Sequence, residues 1–322
     1  MTQHNASEIG IEKLQFLTYR NEDIHIAFAI DTRYVQHMGV AMTSIVVNNP
    51  NVNFHFHVLY DSIGETDFSR MQHLSLLYQV PVYLYKIVDA PLFDNLPTIF
   101  HLSKAVYYRL LLPYLLPQQL PKVLYLDADV VCVGDIMKLW RIPLESSALA
   151  AKNIQAEPDQ IARLGLKSGQ YFNDGAMLMN LPIWRQKQLT VRVIEFVAKY
   201  PERIILLEQD ALSAILDGQF ARMDGAVHTL IDCATGSGHI TEDSVIVHFA
   251  GMCKPWQQWC PDLRKSIYWQ YLQMSPWFDA RPDEPTTPYQ ALVAARLEND
   301  KGNMAAVRHI LELLMQRIVI PQ

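Results

Sequence analysis

Short apolar runs that stop at a polar edge, each followed by residues spaced for a helix, constrain this chain more than any other feature. "IHIAFAI" covers residues 24–30 and stops at Asp31, and residues 39–47 then carry apolar side chains at helical spacing. "VNFHFHVLYD" alternates with period two, Phe68, Met71, Leu74, Leu77 and Tyr78 recur on one helix face, and "VPVYLYKI" gives a third strand. A helix over 104–112 leads through the proline-rich "PYLLPQQLPK" into "KVLYLDADVVCVGD". Strand and helix alternating in short units predict an α/β layer with a mixed, mainly parallel sheet flanked by helices. Ligands of such sheets bind beyond the carboxyl ends of the strands, and Asp31 and Asp127 both fall at that edge.

The second half is less regular. "ALAAKN" and "GAMLMNLPIW" read as strands, 191–199 as a helix, 210–216 as a helix closed by Gly218, and "VIVHFAG" as a strand ending near His248. "RPDEPTTP" reads as a linker, and the segment after it is helical by composition with a break near Gly302. The chain therefore divides into an extension over 1–23, a nucleotide-binding domain over 24–272 and a C-terminal linker with helices over 273–322.

A formal charge of −6 argues against a nucleic-acid partner, which selects basic surfaces. Cys132, Cys233, Cys253 and Cys260 match no zinc or redox spacing and read as free thiols in a reducing compartment. The N-terminus carries no apolar signal core, and no apolar run approaches the length of a membrane span. The expected location is the cytoplasm.

Burying carboxylates at the end of an apolar strand is costly without a cation. Asp127 and Asp129, one residue apart, can both turn toward one divalent ion as hard oxygen ligands. A turn with a capping aspartate explains the pattern equally well. So does the nucleophile and acid of a haloacid-dehalogenase-type phosphatase, although that motif ends the first strand of its domain and here three strand–helix units precede it. "VHFAGMCKPWQQW" is the second signal. It brings His248, a borderline-metal ligand, together with Gly251 and Lys254, an ammonium suited to a diphosphate.

In order and register, "FAIDTRY", "HLSKAVYYRL", "VLYLDADVVCVGD", "YFNDGAMLMNL", "LEQDAL" and "HFAGMCKPW" resemble family 8 glycosyltransferases. "SPWFDARPDE" further resembles the lipopolysaccharide core glucosyl- and galactosyltransferases of that family. The resemblance implies a GT-A fold and transfer with retained anomeric configuration, using Mn²⁺ (or Mg²⁺) and UDP-glucose or UDP-galactose. It assigns the metal to Asp127, Asp129 and His248, and the nucleotide to Ala29 and Asp31. Arg109, Gly251 and Lys254 go to the donor sugar and diphosphate, with Asp127 beside them, and His101 and Leu102 to the sugar and acceptor. Asn173, Asp174, Glu208 and Gln209 fall around the reacting carbon. Three positions depart from the family pattern: Arg33 for an asparagine, Asp174 for a small residue, and Glu208 for an aspartate. The implied mechanism is same-face attack without an enzyme nucleophile, with double displacement through Glu208, Asp174 or Gln209 as its rival.

Trp256, Trp259, Trp269 and Trp277 lie near Lys254, Arg264 and Lys265, as a sugar-stacking surface or as core. Val307, Leu311, Leu314 and Ile318 share a helix face that suits docking on the domain or on the cytoplasmic face of the inner membrane. The resemblance implies a lipopolysaccharide core acceptor. A self-glucosylating, glycogenin-like priming protein and an inactive UDP-sugar-binding protein are the alternatives.

Overall fold

The computed structural model describes residues 9–17, 23–99, 103–223 and 225–319. β1 (Gly10–Gln15) opens the chain, and β2 (Ile24–Ile30), α1 (Val35–Asn48), β3 (Phe54–Tyr60), α2 (Glu65–Tyr78) and β4 (Val82–Asp89) follow as successive strand–helix units. Helical turns over 105–115 lead to β5 (Lys122–Leu126) and the three-residue β6 (Val130–Cys132). Then come β7 (Leu149–Ile154), α3 (Pro158–Leu164), β8 (Tyr171–Asn180), α4 (Leu189–Lys199), α5 (Leu207–Leu216), β9 (Ala221–Met223), β10 (His228–Ile231) and β11 (Ile246–Phe249). α6 (Lys265–Gln273), α7 (Pro288–Asp300) and α8 (Met304–Val319) complete the chain.

The large sheet has the order β1-β4-β3-β2-β5-β8-β7-β9. β4, β3, β2 and β5 are mutually parallel, β7 and β9 run the same way, and β1 and β8 run against them. The mainly parallel reading holds. One face packs Ile26, Phe28 and Phe56 against Met38, Ile45 and Met71 of α1 and α2. The opposite face packs Ala27, Leu59 and Tyr125 against Leu110 to Leu112 and the apolar sides of α4 and α5. Coverage on both faces is why these strands read as continuous apolar runs.

Several boundaries differ from the sequence reading for local reasons. The helix expected over 104–112 is broken into turns, with a 3₁₀ stretch at Arg109–Leu111 and Pro113 just beyond it. "GAMLMNLPIW" is not one strand: Asn180 caps a new helix by accepting the Ile183 N–H at 3.2 Å, with proline early in its first turn. The helix read over 210–216 begins three residues earlier, at Leu207. β1, β6, β9, β10, α3 and α6 were not assigned from the sequence; the first four gain their order from pairing across the chain.

The tryptophan window is largely core. Trp277 is buried, its ring fills the space that a side chain at Gly39 would take, and its Nε1 donates to Asp67 Oδ1 at 2.7 Å. Trp256 is buried and stacks on His37 with ring centroids 3.5 Å apart. Trp269 donates to the Pro255 carbonyl at 3.0 Å. α7 and α8 form a hairpin closed by Ala291, Ala294, Ala295 and Ile310, with Trp259, Val307 and Leu314 packed against them. Leu311, expected on that buried face, is exposed, because the seam runs through Ile310 instead; Ile318 lies beyond the side chains described. No helix among the described residues is long and apolar enough to cross a membrane.

Candidate active site

The topology sends polar residues from distant parts of the chain to one edge. β5 ends at Leu126, so Asp127 emerges at its carboxyl end, where the Asp127 N–H donates to the Gly175 carbonyl at 2.8 Å. β8 is antiparallel to β5, with Leu126 opposite Ala176, and therefore delivers its first residues, Tyr171 to Asp174, to the same edge. β6 pairs with β11 antiparallel, Val130 opposite His248, which brings the histidine beside Asp129. The Phe249 N–H donates to the Asp129 carbonyl at 3.0 Å and closes that junction.

Ligand atoms of Asp127, Asp129 and His248 lie within 4.8 Å of one another. Their donor set, two carboxylates and an imidazole, suits a borderline or hard divalent ion. Asp129 Oδ1 is buried, faces His248 Nε2 at 3.2 Å and makes no hydrogen bond among the described residues, so one ligand atom is held in a place that otherwise penalises it. Burial alone would push the Asp129 carboxyl up, but the Lys254 ammonium at 2.6 Å and the His248 ring hold it well below the usual range. Lys254 also donates to the Phe249 carbonyl at 2.8 Å. The residues fit a divalent cation.

Gly175 is required by this geometry. A Cβ there would overlap the His248 ring and lie 2.9 Å from Asp127 Oδ2. Behind His248, the His228 ring stacks at 5.5 Å with its Nε2 3.3 Å from His248 Nδ1. Burial first, and His248 second, hold the His228 imidazole well below its ordinary pKa, so it stays neutral.

Arg109 is the second centre. It is 4% exposed, its guanidinium lies 4.3 Å above the Tyr125 ring, and it meets three carboxylates. They are Asp127 at 2.9 Å, Asp174 at 3.1 Å and Glu208 at 3.2 Å. Tyr125 adds a hydroxyl donor to Asp127 Oδ1 at 2.8 Å. One buried cation cannot balance three buried anions. Burial, opposed by Arg109 and reinforced by Glu208, pushes the Asp174 carboxyl up to about 8, and burial raises Glu208 as well. Among the described residues, buried Glu208 Oε2 has no hydrogen-bond partner, and buried Asp174 Oδ2 has only its ion pair with Arg109.

Gln209 is fixed on both sides of its amide. Oε1 accepts the Asp174 N–H at 3.2 Å and the Asn173 side chain at 3.4 Å, and Nε2 donates to the Tyr171 hydroxyl at 2.7 Å. Tyr171 donates onward to Asp210 Oδ1 at 2.6 Å. Asp210 Oδ2 accepts the N–H groups of Ile205 and Leu206 at 2.8 and 2.9 Å and a bond from Arg163 at 2.9 Å. This carboxylate therefore holds the turn at Leu207, whose φ of 46° is unfavourable for a bulky side chain.

At the nucleotide end, Asp31 caps a 3₁₀ turn by accepting the Arg33 N–H at 3.0 Å, and the Arg33 side chain folds onto the same carboxylate at 2.7 Å. Burial opposes ionisation, yet the bonds from Arg33 and Ser103 hold Asp31 below its ordinary value. Ala29 is half-buried one strand position before the end of β2. Gly251 has a φ of 81°, the left-handed turn that brings Lys254 back over Asp129. His101 and Leu102 lie outside the described residues. Tyr125, Tyr171, Gly175 and His228 were missed by the sequence reading. Tyr171 sits two positions before Asn173 on β8, hence on the same face, and Tyr125 sits two positions before Asp127 at the end of β5.

The chain resembles known proteins along most of its length. The family model described as Glycosyl transferase family 8 matches residues 25–260. A lipopolysaccharide 1,2-glucosyltransferase of Escherichia coli (strain K12) is 32% identical over 300 residues, 85% of this chain and 86% of that protein. A lipopolysaccharide 1,3-galactosyltransferase of Salmonella typhimurium is 27% identical, covering 92% of each. Among solved structures, the galactosyltransferase LgtC in complex with donor and acceptor sugar analogs superposes with a TM-score of 0.70 at 23% identity, over 78% of this chain and 96% of that one. That likeness shows the GT-A fold.

Proposed function

The chain belongs to glycosyl transferase family 8, and from that premise we propose that it moves a hexose from UDP-glucose or UDP-galactose to a sugar hydroxyl of the lipopolysaccharide core. The observation that carries this reading is the convergence of Asp127, Asp129, His248 and Lys254 at one strand edge, beside buried carboxylates anchored on Arg109. The curated relatives, named as lipopolysaccharide glucosyl- and galactosyltransferases, supply the acceptor class.

Asp127, Asp129 and His248 would hold Mn²⁺ or Mg²⁺, whose charge would offset the negative charge developing on the departing UDP. Lys254, buried and already poised on Asp129, stabilises the same charge. Asp31 and the backbone of Ala29 take the nucleoside, and the left-handed turn at Gly251 lets the backbone approach the diphosphate. Because Arg33 folds onto Asp31, nucleoside binding would have to share or displace that ion pair.

Arg109 orients Asp127, Asp174 and Glu208, so that Glu208 Oε2 and the ion-paired Asp174 Oδ2, neither of them hydrogen-bonded among the described residues, are available to the sugar hydroxyls. Gln209 and Asn173 lie in one fixed hydrogen-bonded unit suited to the anomeric carbon. Burial raises the Asp174 carboxyl to about 8, so at neutral pH it is largely the protonated acid and a poor nucleophile, and burial shifts Glu208 in the same direction. This favours same-face attack, with a donor phosphate oxygen taking the proton of the acceptor, over double displacement. The exposed Tyr289, Leu292, Met304 and Met315 on α7 and α8 or at their termini supply an apolar surface for peripheral contact with the inner leaflet, on the cytoplasmic side where a lipid-linked core would be met.

A panel of UDP-sugars, with and without Mn²⁺ and with truncated lipopolysaccharide acceptors, tests the proposal. UDP release that needs both cation and acceptor is expected. A gain in the protein's own mass would favour a self-glucosylating primer, and UDP binding without turnover a sugar-nucleotide-binding protein. Absence of binding to anionic vesicles, with acceptor present or not, would remove the membrane contact.

A further inference from the structure

Two buried imidazoles face each other at the candidate metal site, and only one of them belongs to it. β10 and β11 run parallel with His228 opposite Ile246 and Leu230 opposite His248, so His228 and His248 are diagonal neighbours on one face. Their planes lie 7° from parallel, and His228 Nε2 stands 3.3 Å from His248 Nδ1. Both rings are held from outside the pair. Lys152 Nζ, on β7, donates to the His228 carbonyl at 2.5 Å and anchors that end of β10. The His248 ring lies against Gly175, where a Cβ would come within 2.2 Å of its Cε1 and 2.7 Å of its Nδ1.

We propose that His228 is a positioning residue for the cation: its Nε2 accepts the His248 Nδ1–H and so fixes the His248 tautomer whose Nε2 is free for the metal. A ring nitrogen that ligates a metal gives its lone pair and carries no proton, so a neutral His248 then holds its proton on the other nitrogen. Nε2 is the atom turned toward Asp129 Oδ1, at 3.2 Å, and is therefore the one on the cation side. Nδ1 faces β10, and its hydrogen-bond partner among the described residues is His228. Neither ring changes charge in this scheme. Only the nitrogen that carries the proton is fixed.

The surroundings of His228 favour this role over packing alone. The ring is fully buried, and its one side-chain hydrogen bond among the described residues goes to His248. Its own Nδ1 is buried with no hydrogen-bond partner there. An apolar side chain would fill the same space without that unpaired nitrogen, so packing does not account for an imidazole at this position. The bond to His248 does. Without an acceptor on β10, the metal-bound His248 would leave its Nδ1 proton buried and unpaired, or the proton would stand on Nε2 and face Asp129 in place of the cation. Either outcome weakens cation binding. The role of His228 presupposes a cation on Asp127, Asp129 and His248, and the experiment separates the two claims.

Mn²⁺ is titrated into the full chain with UDP present and followed by electron paramagnetic resonance, for the parent, His228→Leu and His228→Gln. His228→Leu removes the acceptor and should weaken Mn²⁺ binding roughly 10- to 100-fold. His228→Gln, whose amide oxygen can stand where Nε2 stood, should stay within a few-fold of the parent. Leucine binding as tight as the parent's, or glutamine binding as weak as leucine's, overturns the proposal while leaving the metal site in place. A parent chain that binds no Mn²⁺ overturns the metal site and the role of His228 with it. If His228→Leu does not fold, long-range proton–nitrogen NMR spectra of the parent chain loaded with diamagnetic Mg²⁺ and UDP decide. His248 should then show a protonated Nδ1 and a bare Nε2, and the reverse pattern overturns the proposal.

Discussion

The strand edge around Asp127 and the tryptophan window around Trp277 were the two regions whose residue types pointed to ligand binding. Both are buried, and they differ in what burial leaves undone. At the edge, Asp129 Oδ1, Asp174 Oδ2 and Glu208 Oε2 are buried and make no hydrogen bond among the described residues, and three carboxylates share one guanidinium. In the window, Trp277 gives its N–H to Asp67, Trp269 gives its own to Pro255, and Trp256 lies flat on His37. Unsatisfied polar atoms cost free energy, and although Asp23 and Ser213 carry one each, their concentration at this edge marks the region built for a ligand. The aromatic region has met its needs internally and ties the C-terminal segment to α1 and α2.

The contrast can be broken from either side. Asp129→Asn should have the largest effect, lowering metal-dependent transfer by roughly a thousandfold, at the upper end of the loss expected for one transition-state stabiliser, while the melting temperature changes little. Activity near that of the parent would place the chemistry elsewhere. Arg109→Met leaves Asp127, Asp174 and Glu208 without their shared cation and should cost about 3–5 kcal/mol of stability, read by urea denaturation. An unchanged midpoint would show that those carboxylates are already neutral.

Trp277→Ala should cost about 3 kcal/mol through the cavity it opens against Gly39. Its activity per folded molecule should be retained, and a selective loss of acceptor turnover would reassign the window to function. The smallest effect is on pH dependence. Burial first, then the neighbouring His55, holds His25 at about 4, and burial holds His37 at about 3. Both are lower folded than unfolded, so their stabilising contribution is complete above the unfolded value of 6.5 and is lost as pH falls toward 4 and then 3. Thermal melts should drop by several degrees across that window, and a flat profile would mean that these rings accept protons without penalty.

Much of this was legible in the sequence because the central strands are covered on both faces. β2 matches "IHIAFAI" at both ends, and β5 is marked by the carboxylate that terminates it. β1 was not legible: "GIEKLQ" is a partly exposed edge strand with little apolar signal, ordered by antiparallel pairing with β4. β6 is three residues long and gains its place from pairing with β11, more than a hundred residues away, and from hydrogen bonds to Ser44 and Asn48 of α1. That pairing also explains why Asp129 and His248 could be named but not joined by spacing. Gly175 and His228 carried no local mark, since their roles depend on where His248 lies.

The central claim is that Asp127, Asp129 and His248 hold the cation that secures a UDP-sugar. Electron paramagnetic resonance of Mn²⁺ titrated into the full chain with UDP present measures this directly, alongside Asp129→Asn and His248→Ala. The account predicts one tightly bound, UDP-enhanced Mn²⁺ in the parent chain and its loss in both variants; binding that persists in both, or that ignores UDP, would contradict it.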